Sequence, residues 1–250
     1  ATTSTSSGVA QSITAPPIIK GHPTGTGTLV IFGTGRYFAS ADKTSTDLQT
    51  LYGIWDKQTA GATASSTPAL TRLKLQSQTI TQQATGTFNG NTKTIRLVSA
   101  NAVDWNTSFG WYLDLAIGNS LLGERLVDPL TLNGSVLFAS TRTPSSDVCT
   151  PGITGWIYGL NPDTGGRTSV SVFNFSRNGT ISSTDQYNNN VVSAYSSAGG
   201  GMAVVSGKGV NATDTNGNVT IVGADGKFEG GNTGSSTNGR QAWRTMPSFP

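Results

Sequence analysis

Apolar residues in this sequence never hold helical spacing for more than about a turn. They come in short runs broken by glycine, asparagine and aspartate. A chain patterned this way cannot build helical layers and has to bury short strands against one another. The candidate strands are Leu29–Phe32, Leu51–Trp55, Leu70–Leu75, Thr79–Phe88, Thr92–Val98, Trp111–Leu115, Val136–Ser140, Trp156–Leu160, Gly201–Val205 and Val219–Val222. Asn89-Gly90-Asn91 and Ala224-Asp225-Gly226-Lys227 are hairpin turns, because both pairs tolerate the left-handed backbone that tight turns require. Arg36-Tyr37-Phe38 reads as a further strand after the Gly33-Thr34-Gly35 turn, and only Asp47–Leu51 and Asn119–Gly123 could hold a helical turn. The fold class is all-β with antiparallel strands and long loops: a sandwich, barrel or propeller. No tight repeat selects the propeller by period alone.

Composition points the same way. Charged residues make up 12% of the chain, against roughly 25% in an average globular protein. Threonine, valine, serine, asparagine and glycine take their place, which suits strands and turns. The net charge is +3 with the basic residues scattered, so no stripe exists for nucleic acid. No apolar run reaches the ~18–20 residues of a membrane-spanning helix. Residues 1–12 are Ser/Thr/Gly-rich and are expected to be mobile unless they pair with another segment. Residues 13–250 form the domain, with Thr59–Pro68 as a small-residue linker within it.

The residues able to carry chemistry are few. Asp114, Glu124, Arg125 and Asp128 form the densest charged stretch. A glycosidase needs two carboxylates across a scissile bond, so Asp114 or Asp128 with Glu124 is one formal pairing. The alternative is that Glu124 and Arg125 form a charged pair or hydrogen-bond anchors at a strand corner. Cys149 is the single cysteine, a thiol without a role or a partner to a cysteine elsewhere in a longer chain, and the single histidine, His22, stands in a proline-flanked loop with no nucleophile signature beside it. Trp55, Trp105, Trp111, Trp156 and Trp243 are core payloads or, if exposed, sugar platforms. Asp214-Thr215-Asn216-Gly217-Asn218 imitates the start of a calcium loop, but Asp225 stands where the closing glutamate belongs, and an Asx-rich turn needs no metal. Gly33 and Gly35 lack the third glycine, the helix and the acidic residue of a dinucleotide site. The sequons, including Asn106, Asn174 and Asn178, are no more than this composition produces by chance. No residue is therefore assigned a catalytic, cofactor-binding or metal-ligating role, and no cofactor is expected.

Several segments in order are similar to the C-terminal region of PilY1-type proteins of type IV pili. They are Ile13–Pro17, Phe32–Phe38, Leu51–Asp56, Gly110–Leu115, Gly123–Val127, Pro144–Cys149, Gly155–Leu160 and Gly165-Gly166, with Gly239–Arg244 near the end. The resemblance implies a β-propeller-like architecture and a place outside the cell or on its surface, reached through the periplasm. It implies non-catalytic roles in pilus assembly, opposition to retraction, and surface adhesion. It also implies that the chain is part of a longer parent. The partners it implies are pilus subunits or minor pilins, the remainder of that parent, and host or surface glycans. The family's calcium loop, spaced Asp-x-Asp-x-Asp, has no counterpart here, so calcium is assigned to no residue. An incomplete propeller would expose raw strand edges, and the chain is expected to stay associated with the rest of its parent or with pilus subunits. Loops such as Thr180–Gly200 are the expected contact surface. The alternative reading is an extracellular carbohydrate-binding β module; a quinoprotein-like or glycan-hydrolysing enzyme ranks below it.

Overall fold

The computed structural model describes residues 2–4, 10–57, 70–144, 154–178, 180–197, 200–206 and 218–233. Strands β1 (Thr2–Ser4) and β2 (Ala10–Ser12) form a hairpin. A meander follows through β3 (Ile18–Gly21), β4 (Thr28–Gly33) and β5 (Thr50–Asp56). Short β6 (Gln76–Gln78) leads into the long hairpin of β7 (Ile80–Phe88) and β8 (Asn91–Val98), and then to β9 (Gly110–Asp114). Strands β10 (Thr131–Asn133), β11 (Val136–Ser140) and β12 (Gly155–Leu160) form a second meander. After the small β13 (Gln186–Tyr187) and β14 (Asn190–Val191) come β15 (Ala194–Ser197), β16 (Met202–Ser206), β17 (Asn218–Gly223) and β18 (Phe228–Asn232). The only helices among the described residues are single 3-10 turns at Ser40–Lys43, Arg72–Lys74 and Ser183–Asp185.

Three main sheets result, in the orders β3-β4-β5-β9-β6, β10-β11-β12-β15-β8-β7 and β16-β17-β18. The blade-like antiparallel meanders make the architecture β-propeller-like, and among the described residues the sheets close no ring. The six-stranded sheet is the middle layer. Its Leu137, Ala139, Tyr158 and Leu160 pack with Leu29, Ile31, Leu51 and Leu113 of the five-stranded sheet. The alternate residues Val136, Phe138 and Ile157 join Phe173, Phe175, Val219 and Ile221 in a second cluster that reaches the three-stranded sheet. Side chains alternate faces along a strand, so burial on both faces requires a run with no polar alternation. The sequences Val136–Ser140 and Gly155–Leu160 are such runs, buried at every position.

Trp111 fixes how the five-stranded sheet meets the loop after β12. Its indole is fully buried and its Nε1 donates to the Pro162 carbonyl at 3.1 Å. Glycines make room for it: a Cβ on Gly53 would lie 2.3 Å from the ring and one on Gly165 2.0 Å from it. Gly165 also sits at φ +68°, a conformation side chains disfavour.

Local expectations hold where turn chemistry decides and fail where the pattern is weak. Asn89 (φ 46°) and Gly90 (φ 82°) close the β7–β8 hairpin as expected, and the Asp225-Gly226 turn closes β17–β18. The strand expected over Leu70–Leu75 is instead a 3-10 turn with Leu73 95% exposed, and the true strand begins at Gln76. Arg36–Phe38 is irregular rather than extended in a sheet, because Asp42 gathers its donors: Arg36 Nε and the Phe38 and Ala39 amides. Neither Asp47–Leu51 nor Asn119–Gly123 is helical, since Thr50 and Leu51 already pair in β5. Thr180–Gly200 is not one long loop but carries Ser183–Asp185, β13, β14 and β15. Within the N-terminal stretch, Thr2–Ser4 pair with Ala10–Ser12, and Gln11 is buried, bonded to the Leu48 carbonyl, Thr50 and Tyr52. The Thr59–Pro68 linker, Cys149, Asp214–Gly217, Trp243 and the Gly239–Arg244 segment lie outside the described residues.

Candidate functional site

The charged stretch from Asp114 to Asp128 runs from the end of β9 toward β10, along the junction of the two large sheets. Each of its carboxylates meets an arginine contributed by a different part of the chain. Asp114 accepts from Arg72 Nη2 at 2.6 Å on both oxygens, and from the Thr50 hydroxyl at 2.7 Å. Asp128 is held by Arg142 through Nε and Nη2, and also accepts the Gly201 amide. Glu124 lies deepest. Its Oε1 accepts from Tyr158 OH at 2.9 Å and Thr141 Oγ1 at 2.8 Å, while Oε2 accepts from Arg96 Nη1.

Glu124 and Arg96 are 1% and 2% exposed, so the pair is removed from water and must satisfy itself. Burial opposes the Arg96 charge, but Tyr158 and the Glu124 carboxylate outweigh it and hold its pKa above the ordinary value. Burial, reinforced by the same carboxylate, pushes the Tyr158 phenol well above its ordinary range. With all its acceptor bonds made inside the protein, Glu124 is poorly placed to donate or take a proton from a substrate. No distance links Glu124 to Asp114 or Asp128 as a working pair; each ends in its own ion pair.

Glu124 and Arg125 are not partners of one another. Arg125 turns the other way and donates to four backbone carbonyls, those of Gly123, Arg36, Asp42 and Ser45, at 2.6–2.9 Å. The anchor reading is therefore right for both residues, and the paired reading is not. Desolvation lowers the Arg125 pKa, because no carboxylate bonds it directly.

The tryptophans divide between core and rim. Trp111 and Trp156 are buried, and the Trp156 ring lies 3.7 Å from the Arg96 guanidinium. Trp55 and Trp105 are half-buried. His22 stacks on Trp55 at 4.0 Å with an interplanar angle of 8°, and meets Trp105 edge-on at 4.3 Å. Lys57 Nζ stands 4.4 Å over the Trp55 ring. His22 and Lys57 thus both crowd the half-buried Trp55 ring. Sequence reading missed this cluster, since the β3-β4-β5 pairing brings residues 22, 55 and 57 together and Trp105 joins them from the loop between β8 and β9. It also missed Arg96, although an arginine inside the apolar run Ile95–Val98 is a visible anomaly.

Among the described residues no group of three or more His, Cys, Asp or Glu side chains converges to hold a metal ion. No helix there is long and apolar enough to cross a membrane.

Residues 1–93 match the family model described as the PilY1 beta-propeller domain. The chain is 43% identical over 254 residues to the type IV pilus biogenesis factor PilY1 of Pseudomonas aeruginosa strain PAO1, covering 96% of this chain and 21% of that protein. A PilY1 homolog of Xylella fastidiosa is 33% identical over 226 residues, covering 89% of this chain and 16% of that one. The chain thus spans about a fifth of the length of the Pseudomonas relative. The crystal structure of the Pseudomonas aeruginosa PilY1 C-terminal domain superposes with a TM-score of 0.79 at 40% identity, covering 93% of this chain and 48% of that one. In sequence and in fold alike, the chain corresponds to the C-terminal region of the PilY1-type proteins of type IV pili.

Proposed function

We propose that this chain is a non-catalytic module of a type IV pilus-associated protein that supports pilus assembly, opposes retraction and contributes to surface adhesion. One observation carries the reading: nearly the whole chain matches a type IV pilus biogenesis factor in sequence, and nearly the whole fold matches that protein's C-terminal domain. The site chemistry supports the non-catalytic part, since Asp114, Glu124 and Asp128 each spend their charge on an arginine. The partners are pilus subunits or minor pilins and the rest of the parent chain, and the place of action is the cell surface.

The test is a count of surface pili in cells lacking the parent gene, with and without the retraction motor. Pili lost in the single deletion and regained when retraction is also removed are the expected result. Unchanged piliation in both strains overturns the assembly role.

A further inference from the structure

Strands β8 and β15 pair only at Ala194 with Arg96 and Tyr195 with Ile95. Beyond that point β15 stays paired with β12 as far as Ser197, and β8 with β7 as far as Asn91. Between the two parted strands opens a recess of about 400 Å³, a size ordinary for a small-ligand site. It is lined by Thr92 and Thr94 of β8, Ser196 and Ser197 of β15, and residues of the β17–β18 hairpin. Gly223 keeps it open. A Cβ there would stand 2.9 Å from Asp225 Oδ1, 3.5 Å from Ser197 Oγ and 3.8 Å from Ile157 Cδ1. All three residues belong to the recess wall, so these atoms surround a point that the glycine leaves free.

The chemistry of the wall restricts the occupant. Its four charged side chains cancel in two ion pairs, Lys93 with Glu229 and Lys227 with Asp225, so neither an anion nor a cation is favoured. The Tyr195, Ser196 and Ser197 hydroxyls make no hydrogen bond among the described residues, and each can donate and accept. Ile157 is the one aliphatic side chain of the wall, which offers little to an apolar anchor. The Tyr195 ring packs against Phe173 and Phe175 in the core, which leaves recognition to polar edges. An uncharged ligand whose groups donate and accept together meets these conditions, as the hydroxyls of a sugar do.

We propose that this recess binds a neutral sugar residue, whose hydroxyls donate to Asp225 and exchange hydrogen bonds with Ser196 and Ser197. Asp225 is held for that task by the Lys227 amide at 3.1 Å and the Lys227 ammonium at 3.3 Å, and a carboxylate so engaged still has lone pairs to offer. The use of the site in adhesion rests on the function proposed above; its occupancy by a sugar does not.

The probes are methyl β-galactopyranoside and methyl α-mannopyranoside, titrated into the isotope-labelled protein and followed by NMR. Sodium acetate, tetramethylammonium chloride and N-acetyl-alanine-N-methylamide are run in parallel. For a ligand this small held by polar contacts, saturation at about 1–10 mM is expected with at least one glycoside. The Ser196, Ser197, Gly223 and Asp225 amides should shift with it, and far less with the three controls. Gly223→Leu fills the recess, since the Asp225 carboxylate can rotate aside, and should abolish the response; Ser197→Ala should weaken it several-fold. No saturable shift with either glycoside up to about 100 mM overturns the proposal. So do equal shifts with a control, or a response that survives both variants in folded protein. Saturable binding beside unchanged piliation would overturn the pilus reading and leave this site standing; the reverse result would overturn the site alone.

Discussion

Arg96 and Arg125 are buried to the same degree, each 2% exposed, yet they are accommodated by opposite means. Arg96 sits between the sheets and meets a full counter-charge, Glu124, which is itself completed by Tyr158 and Thr141. Arg125 sits under the loop from Arg36 to Ser45, bonds only to carbonyl oxygens, and has the Tyr37 ring 5.9 Å from its guanidinium. The first arrangement joins strands distant in sequence, β8 and β12, through a carboxylate. The second ties an irregular segment to the sheet through its own backbone. An ion pair requires its partner in place, whereas carbonyls freed at a loop can turn to water.

That difference sets the largest expected effect. Arg96→Ala leaves the Glu124 carboxylate buried without its cation, and should cost about 3–5 kcal/mol in urea unfolding. The double variant Arg96→Met, Glu124→Leu should be less destabilised than Arg96→Ala, because no buried charge is left behind. If the double variant is worse than either single one, the pair contributes far more than it costs and the contrast with Arg125 collapses. Arg125→Ala should cost less, about 2–3 kcal/mol, from unpaired carbonyls that are partly rescued by water. Its amide exchange should rise locally in residues 36–45, while the Arg96 variants should loosen both large sheets.

How much of this could be read from the sequence follows the range of each interaction. The β7–β8 hairpin was legible because Asn89-Gly90 decides it locally. The runs at Val136 and Trp156 were legible as strands, although not as a layer buried on both faces until the third sheet was seen. Leu70–Leu75 misled because leucines at uneven spacing fit neither period, while the residue that faces inward nearby is Gln78. That glutamine satisfies itself with the Asn101 and Thr164 carbonyls, contacts that no local pattern announces. Glu124 and Arg125 could be identified as anchors, yet their partners, 28 residues away in one case and more than 80 in another, exist only in the folded chain.

Arg142 extends the series toward the surface. It grips both oxygens of Asp128 through Nε and Nη2, a fork the buried Arg96–Glu124 pair lacks, but the two side chains are 26% and 14% exposed. Arg142→Met should therefore cost only about 1 kcal/mol, reduced further by salt. A loss as large as that of Arg125→Ala would mean that geometry rather than burial decides what a cation contributes here.

The smallest effect belongs to a buried base with neither counter-charge bond nor carbonyl cradle among the described residues. His22 is 4% exposed, its Nδ1 accepts from the Thr24 amide, and its Nε2 has no hydrogen-bond partner among the described residues. Burial lowers its pKa below 6.5; Asp163 pulls the other way, and Lys20 and Lys57 add to the lowering. The unfolded chain then binds more protons than the folded one just below the ordinary value. The stabilising contribution is full above pH 6.5 and is lost as pH falls from there through the folded pKa. His22→Phe, which keeps an aromatic ring on Trp55, should flatten this part of the profile when urea midpoints are compared at about pH 7.5 and 5.5. Equal losses in both proteins would assign the slope to other groups. They would also mean that a buried base here can be charged without a partner, which the treatment of Arg96 and Arg125 argues against.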